Sequence, residues 1–173
     1  AIFEKVVSRR ILKKKTITLS VSDTHHPDLL EEIFIENNFV KMDFVTDPGQ
    51  FSIRGGIVDV FSFADENPFR IEFFDDEIES IRTFNINTQL SVEKRDKISI
   101  IPNTEAKKAE EKQVSILEYL PKSSTIWTED SLYTIGILEQ NFEKALREFN
   151  KLKNNNINQI SPEKIFTNGS KFS

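Results

Sequence analysis

The run FRIEFF, from Phe69 to Phe74, alternates with period two. Phe69, Ile71 and Phe73 fall on one side, and Arg70, Glu72 and Phe74 on the other. Successive side chains of a strand point to opposite faces, so an extended chain gathers the three apolar residues on one surface. The same period occurs in Phe51–Arg54, where Phe51 and Ile53 oppose Ser52 and Arg54, and the run continues through GGIVDVFSF. Val40, Met42 and Phe44 alternate with Lys41 and Asp43. After Phe74, Asp75-Asp76 reads as a tight turn and Ile78 to Phe84 as the return strand. Such a pattern predicts an antiparallel sheet with one apolar face, which must be covered. Ten of the 15 phenylalanines lie between Phe34 and Phe84, which places one Phe-rich core there.

The cover is a helix. Asp23 or Thr24 is positioned to cap it, Pro27 opens it, and Leu29, Leu30, Ile33 and Phe34 form an apolar stripe. Asn37-Asn38 ends it. Thr16 to Val21 reads as a strand, DPGQ (Asp47 to Gln50) as a turn, ADENP (Ala64 to Pro68) as a loop, and Ile98 to Ile101 as a short strand. Gly55-Gly56, inside a strand pattern, predicts a bulge or a close backbone approach. Beyond Pro102 a helix is expected from Thr104 to about Leu120, with Val114, Leu117 and Leu120 on one face. SSTIWT (Ser123 to Thr128) reads as a strand. A second helix, capped by Thr128 or Asp130, carries Leu132, Ile135, Leu138, Phe142, Leu146 and Phe149 at a 3.6-residue period. Residues 151–173 form a polar, weakly periodic tail, expected to be frayed or partly ordered. The expected fold class is α+β: an antiparallel-sheet domain with a helix over residues 22–102, then a helix–strand–helix piece over 103–150, too small to be a complete domain.

Several chemistries are excluded. There is no Cys, hence no disulfide and no thiolate. No apolar run approaches the ~20 residues of a membrane helix. The first residue is Ala1, with no signal-peptide pattern, so a fragment or processed chain of cytosolic origin is expected. The five glycines fit neither a phosphate-binding loop nor a dinucleotide-binding turn, so no nucleotide cofactor is expected in this fragment. His25 and His26 are adjacent without a Cys co-ligand and read as a polar turn rather than a metal site. Asp75, Asp76 and Glu77 are best explained by turn chemistry at a hairpin tip. The net charge of -5 opposes a general phosphate-binding surface, yet residues 9–15, RRILKKK, form a basic cluster that a nucleic acid would contact. Solvated charge beside a strand is the plainer explanation of that cluster.

If the strands share one sheet, Arg54, Arg70, Glu72 and Phe74 share its solvent face. Arginine with an exposed aromatic ring is the composition of protein–protein hot spots. Alternation alone leaves two readings open. Phe74 either serves such a contact or packs beneath the hairpin turn or later helices, with Arg70–Glu72 a plain surface pair. Asp59 falls on the inward register unless the glycines shift it by one, and a buried Asp59 needs a partner, Arg82 being one candidate.

The stretch RGGIVDVFSFADENPFRIEFFDDEIESIRTFNINTQLS resembles the signature of the UvrB interaction domain, found in the excision-repair protein UvrB and in transcription-repair coupling factors. FVTDPGQFSIRGGIVDVFSF, RIEFFDDEIESIRTF, TQLS and IIPN are closer to the coupling-factor form. The resemblance is specific over residues 39–102 and looser from residue 1 to about 150. It implies an insertion into a larger UvrB-like domain, with residues 1–21 a linker or strand from its first part and 103–150 its continuation. It also implies a bacterial, cytoplasmic, non-catalytic fragment that docks UvrA in nucleotide excision repair, while RNA polymerase, DNA and ATP engage other domains of an ATP-dependent translocase parent. The family's UvrA-contacting residues are the arginine before the glycine of the RG motif, and the arginine, acidic residue and second Phe of R-x-[ED]-F-F. They match Arg54, Arg70, Glu72 and Phe74. Ser62 stands where proline often follows the strand, which is expected to loosen that edge, and Asp75 stands where glycine is common, so the hairpin tip is expected to adopt another turn type. The alternative is a nucleic-acid-binding fragment of a UvrB-like helicase using the basic cluster at 9–15.

Overall fold

The computed structural model describes residues 2–103, 113–153 and 160–171. They belong to two compact units, Leu12–Ala106 and Ala1–Ile11 with Lys107–Ser173. In chain order the elements are β1 (Val6–Val7), α1 (Arg9–Lys15), β2 (Ile17–Ser20), α2 (Pro27–Glu36), β3 (Val40–Lys41), β4 (Gln50–Arg54) and β5 (Ile57–Val60). They continue with β6 (Phe69–Phe74), β7 (Glu77–Phe84), β8 (Ser91–Arg95), β9 (Lys97–Ile100), β10 (Gln113–Val114), α3 (Ser131–Lys153) and α4 (Pro162–Ile165). The α+β class expected from the sequence is the one observed.

The unit Leu12–Ala106 is built on a six-stranded sheet of order β3-β4-β5-β6-β7-β8. All its pairs are antiparallel except β3 with β4. One face is apolar because Phe51, Val58, Val60, Ile71 and Ile81 occupy matching positions on adjacent strands. Leu30 and Phe34, one helical turn apart on α2, belong to the same core. The rings of Phe34 and Phe51 lie 5.2 Å apart and are fully buried, each side chain contributing about 1.5–3 kcal/mol of burial.

The helix start differs from expectation. His26, not Asp23 or Thr24, is the N-cap, its Nδ1 accepting from the Asp28 amide at 3.3 Å, with Pro27 in the first turn. Asp23 instead accepts from the Ser20 amide. At the other end Asn38 adopts φ +62 and the Phe39 amide donates to Phe34 O. That turn leaves Phe39 inward against Phe34, and the alternation expected after it is absent, since Lys41 and Asp43 are exposed as well. Val40, Met42 and Phe44 are exposed, while Phe39 and Val45 are buried.

β2 pairs antiparallel with β9, bringing Leu19, Ile98 and Ile100 into the core. These strands lie within the compact unit Leu12–Ala106. β8 escaped the sequence reading because SVEKR carries no apolar alternation; its backbone pairing to β7 defines it. Its charges suit a sheet edge, where they oppose pairing with another chain.

In the other unit, β1 pairs with β10. The helix expected from Thr104 to Leu120 is not formed in its described part: Gln113–Val114 is strand and Ile116–Tyr119 a 3-10 turn. Residues 104–112 lie outside the described residues. Ser123 to Thr128 is not a strand, and Trp127 there is 90% exposed. α3 is present as expected, with Asp130 Oδ1 accepting from the Tyr133 amide at 2.8 Å. The expected tail is partly built: Phe166 stacks on Phe3 with centroids 4.5 Å apart, and Thr167 is buried. No helix among the described residues is long and apolar enough to cross a membrane.

Candidate protein-docking face

The second face of the six-stranded sheet is polar. Its character follows from Gly55-Gly56, which form a two-residue hairpin turn rather than a bulge. Arg54 pairs with Ile57 and Ser52 with Asp59. Gly55 has φ +58 and Gly56 does not have positive φ, the pattern of a type II′ turn. A Cβ on Gly56 would lie 2.9 Å from the Phe73 carbonyl oxygen. Paired residues of an antiparallel ladder share a face, so the turn shifts the parity of β5 by one. Asp59 thereby joins Ser52 and Arg54 on the polar face, not the inward one, and continues the row through Arg70 and Arg82.

Asp59 is nonetheless only 1% exposed, because arginines cover it. Arg70 Nε donates to Asp59 Oδ1 at 2.7 Å and Arg70 Nη2 to Oδ2 at 2.8 Å. Arg54 Nη2 donates to Oδ2 at 2.6 Å. Arg82, the candidate partner from sequence, pairs with Glu72 instead. The carboxylate thus satisfies two guanidiniums, one in the bidentate geometry that favours Arg–carboxylate pairs. The hydrogen bond to Asp59 holds the Arg70 pKa above its ordinary value, against the opposing effect of burial. The Arg70 guanidinium carbon lies 4.4 Å from the centroid of the buried Phe84 ring. Arg54 donates through Nη1 to Asp43 O at 2.6 Å and to Ser52 Oγ at 3.0 Å, and lies 5.2 Å from the Phe44 ring centroid.

Glu72 accepts from Ser80 Oγ at 2.7 Å and pairs with Arg82. The Ser80 hydroxyl, then Arg82, hold its carboxyl below the ordinary range, with burial opposing. Glu72 therefore orients Arg82 rather than forming a surface pair with Arg70. Phe74 lies beside the Asp75-Asp76 turn and is 71% exposed, so it does not pack beneath the hairpin. Asp75 occupies φ +52, the conformation that glycine adopts more readily.

The four residues singled out from sequence thus share one face, with three guanidiniums against two carboxylates across Arg54, Asp59, Arg70, Glu72 and Arg82. Two members were missed. Phe44 is 63% exposed beside Arg54; its alternation with Asp43 suggested a strand, but the strand ends at Lys41 and both residues are exposed. Arg82 was visible in the same period-two register of β7, but its partner was not. Among the described residues no cluster of His, Cys, Asp or Glu is suited to a metal.

The profile of the UvrB interaction domain matches residues 17–105, half of the chain. A segment of 95 residues, 55% of the chain, is 41% identical to the transcription-repair-coupling factor of Bacillus subtilis (strain 168). The Myxococcus xanthus transcription-repair-coupling factor is 31% identical over 105 residues, 61% of the chain. That of Borreliella burgdorferi is 25% identical over 150 residues, 86% of the chain. The matched segments make up 8%, 9% and 12% of these relatives, so the chain spans a small part of their length. With the profile covering the sheet that carries this face, the chain belongs to the UvrB interaction domain family, in the form that transcription-repair-coupling factors carry.

Proposed function

We propose that the chain is a non-catalytic docking module for UvrA, and that the polar face of the six-stranded sheet is its contact surface. The observation that carries this reading is Phe74, 71% exposed on a face whose guanidiniums are already fixed. A large ring held in water on the same sheet face as ordered arginines is the composition of an interface anchor. Fixing the arginines in advance lowers the entropy lost on association. Arg70 and Arg54 offer their remaining donors to carboxylates of UvrA, and Phe74 enters an apolar pocket with Phe44 as a second ring. Glu72, paired with Arg82, meets a basic residue at the rim. In a longer parent of the coupling-factor type, docking of this kind links stalled transcription to excision repair, with RNA polymerase, DNA and ATP handled elsewhere.

Titration of the chain with purified UvrA, beside Arg70→Ala and Phe74→Ala, tests the reading. Each truncation is expected to cost about 2 kcal/mol, roughly 30-fold in affinity, with circular dichroism unchanged. Unaltered affinity in both variants would remove this face from consideration. Binding to DNA that weakens steeply with salt, without binding to UvrA, would favour the basic helix α1 instead.

A further inference from the structure

The sequence TQLS, Thr88 to Ser91, takes no part in the contact surface described above. Its Gln89 has an unusual conformation and an informative pair of partners. The loop between β7 and β8 is closed by the Asn85 amide donating to Leu90 O at 3.0 Å. Asn85 Oδ1 accepts from the amides of Asn87 and Thr88, each at 3.0 Å, which rigidifies the turn from within. Gln89 follows with φ +59, a region a non-glycine residue rarely occupies. Its side-chain amide is engaged at both ends. Nε2 donates to Ile86 O at 2.8 Å, and Oε1 accepts from Arg70 Nη2 at 3.1 Å.

The two partners decide the orientation of the amide. A carbonyl accepts only and a guanidinium donates only, so one flip state alone satisfies both. Asparagine is one methylene shorter, and glutamate has no donor for Ile86 O. Arg70 is therefore held by Asp59 along its Nε–Nη2 edge, by the Phe84 ring against its plane, and by Gln89 at the second Nη2 proton. Among the described residues no acceptor engages Nη1.

We propose that Gln89 is a positioning residue for docking: clamped between Ile86 O and Arg70, it fixes the guanidinium so that Nη1 is the edge presented to an acidic group of the partner. The inference rests on the docking reading of the preceding subsection. Gln89 touches the partner through Arg70, not in its own right, and its effect is to restrict the rotamers Arg70 samples before binding. Releasing that restriction is expected to weaken docking roughly 2- to 10-fold.

The test uses the full 173-residue chain, with purified UvrA as the probe, and the variants Gln89→Gly, Arg70→Ala and the double variant. Glycine relieves the positive φ while removing the side chain, so loss of fold through backbone strain is avoided. Gln89→Gly should weaken UvrA binding by the stated factor in the native background and change nothing in the Arg70→Ala background. In the free chain, nitrogen-15 spectra should show faster rotation of the Arg70 guanidinium, a change a merely structural loop residue would not produce. If Arg70→Ala weakens binding but Gln89→Gly does not, the docking reading stands and the positioning role falls. Equal losses from Gln89→Gly with and without Arg70 also overturn it. If Arg70→Ala leaves affinity unchanged, the docking reading itself fails and takes this role with it.

Discussion

Replacing Asp59 by asparagine keeps the shape of the side chain and removes its charge. Three hydrogen bonds from two guanidiniums end on this carboxylate, which is 1% exposed. The amide retains one acceptor oxygen and turns an N–H group toward Arg70 or Arg54. Breaking a buried ion pair from one side costs about 3–5 kcal/mol. The Arg54 side chain is 37% exposed and regains water, whereas Arg70, at 18%, regains less. That difference places the cost near the lower end, about 3 kcal/mol. For a unit of under 100 residues, a melting midpoint moves roughly 4–8 °C per kcal/mol, so a fall of about 12–24 °C is expected. Urea unfolding followed by circular dichroism gives the free energy directly. The sheet face can be separated from trivial loss of packing with Asp59→Asn combined with Arg70→Met. Removing the stranded guanidinium should make the double variant more stable than additivity allows, by more than about 1 kcal/mol. A loss below 1 kcal/mol for Asp59→Asn, or strict additivity in the double variant, would refute the argument that Asp59 is the buried anchor of both arginines.

Phe34→Ala empties a site packed against Phe39 and Phe51 and should cost about 3–5 kcal/mol in the same unfolding experiment. Gly55→Asn should be nearly neutral, since asparagine tolerates positive φ. Gly56→Ala forces a Cβ to within 2.9 Å of a backbone oxygen and should destabilise by about 1–3 kcal/mol; equal melting points for the two would contradict the turn geometry. Glu72 has a folded pKa below its unfolded value, so its pairing stabilises the fold above the unfolded value, near 4.3, and this part is lost as pH falls through the folded pKa. Melting curves of the native chain and Glu72→Gln should therefore converge on acidification; parallel curves would show that the carboxylate contributes nothing. The fourth expectation, loss of UvrA affinity in Phe74→Ala, is checked by the titration described above.

What the sequence by itself determined is the set of elements whose local pattern agrees with their tertiary use. FRIEFF alternates, so β6 buries Phe69, Ile71 and Phe73 and turns Arg70, Glu72 and Phe74 to the other face, where Arg70 and Glu72 are half-buried and Phe74 is exposed. α2 and α3 carry stripes at helical spacing, and both formed. Four residues of the candidate face were legible for the same reason. Tertiary structure alone decided three matters. Parity across Gly55-Gly56 depends on whether two glycines continue a strand or reverse it, and only the pairing of Ser52 with Asp59 settles that. The partners of Asp59 follow from that parity, since Arg54 and Arg70 reach it across neighbouring strands, while Arg82 is drawn to Glu72. Strands without a side-chain signal, such as β8 and β10, exist because a neighbour offers backbone hydrogen bonds. Period and capping act within a few residues along the chain, whereas charge pairing and strand addition act between residues far apart in it. For that reason the face was readable in the sequence and its internal wiring, from Asp59 to Arg70 to Gln89, was not.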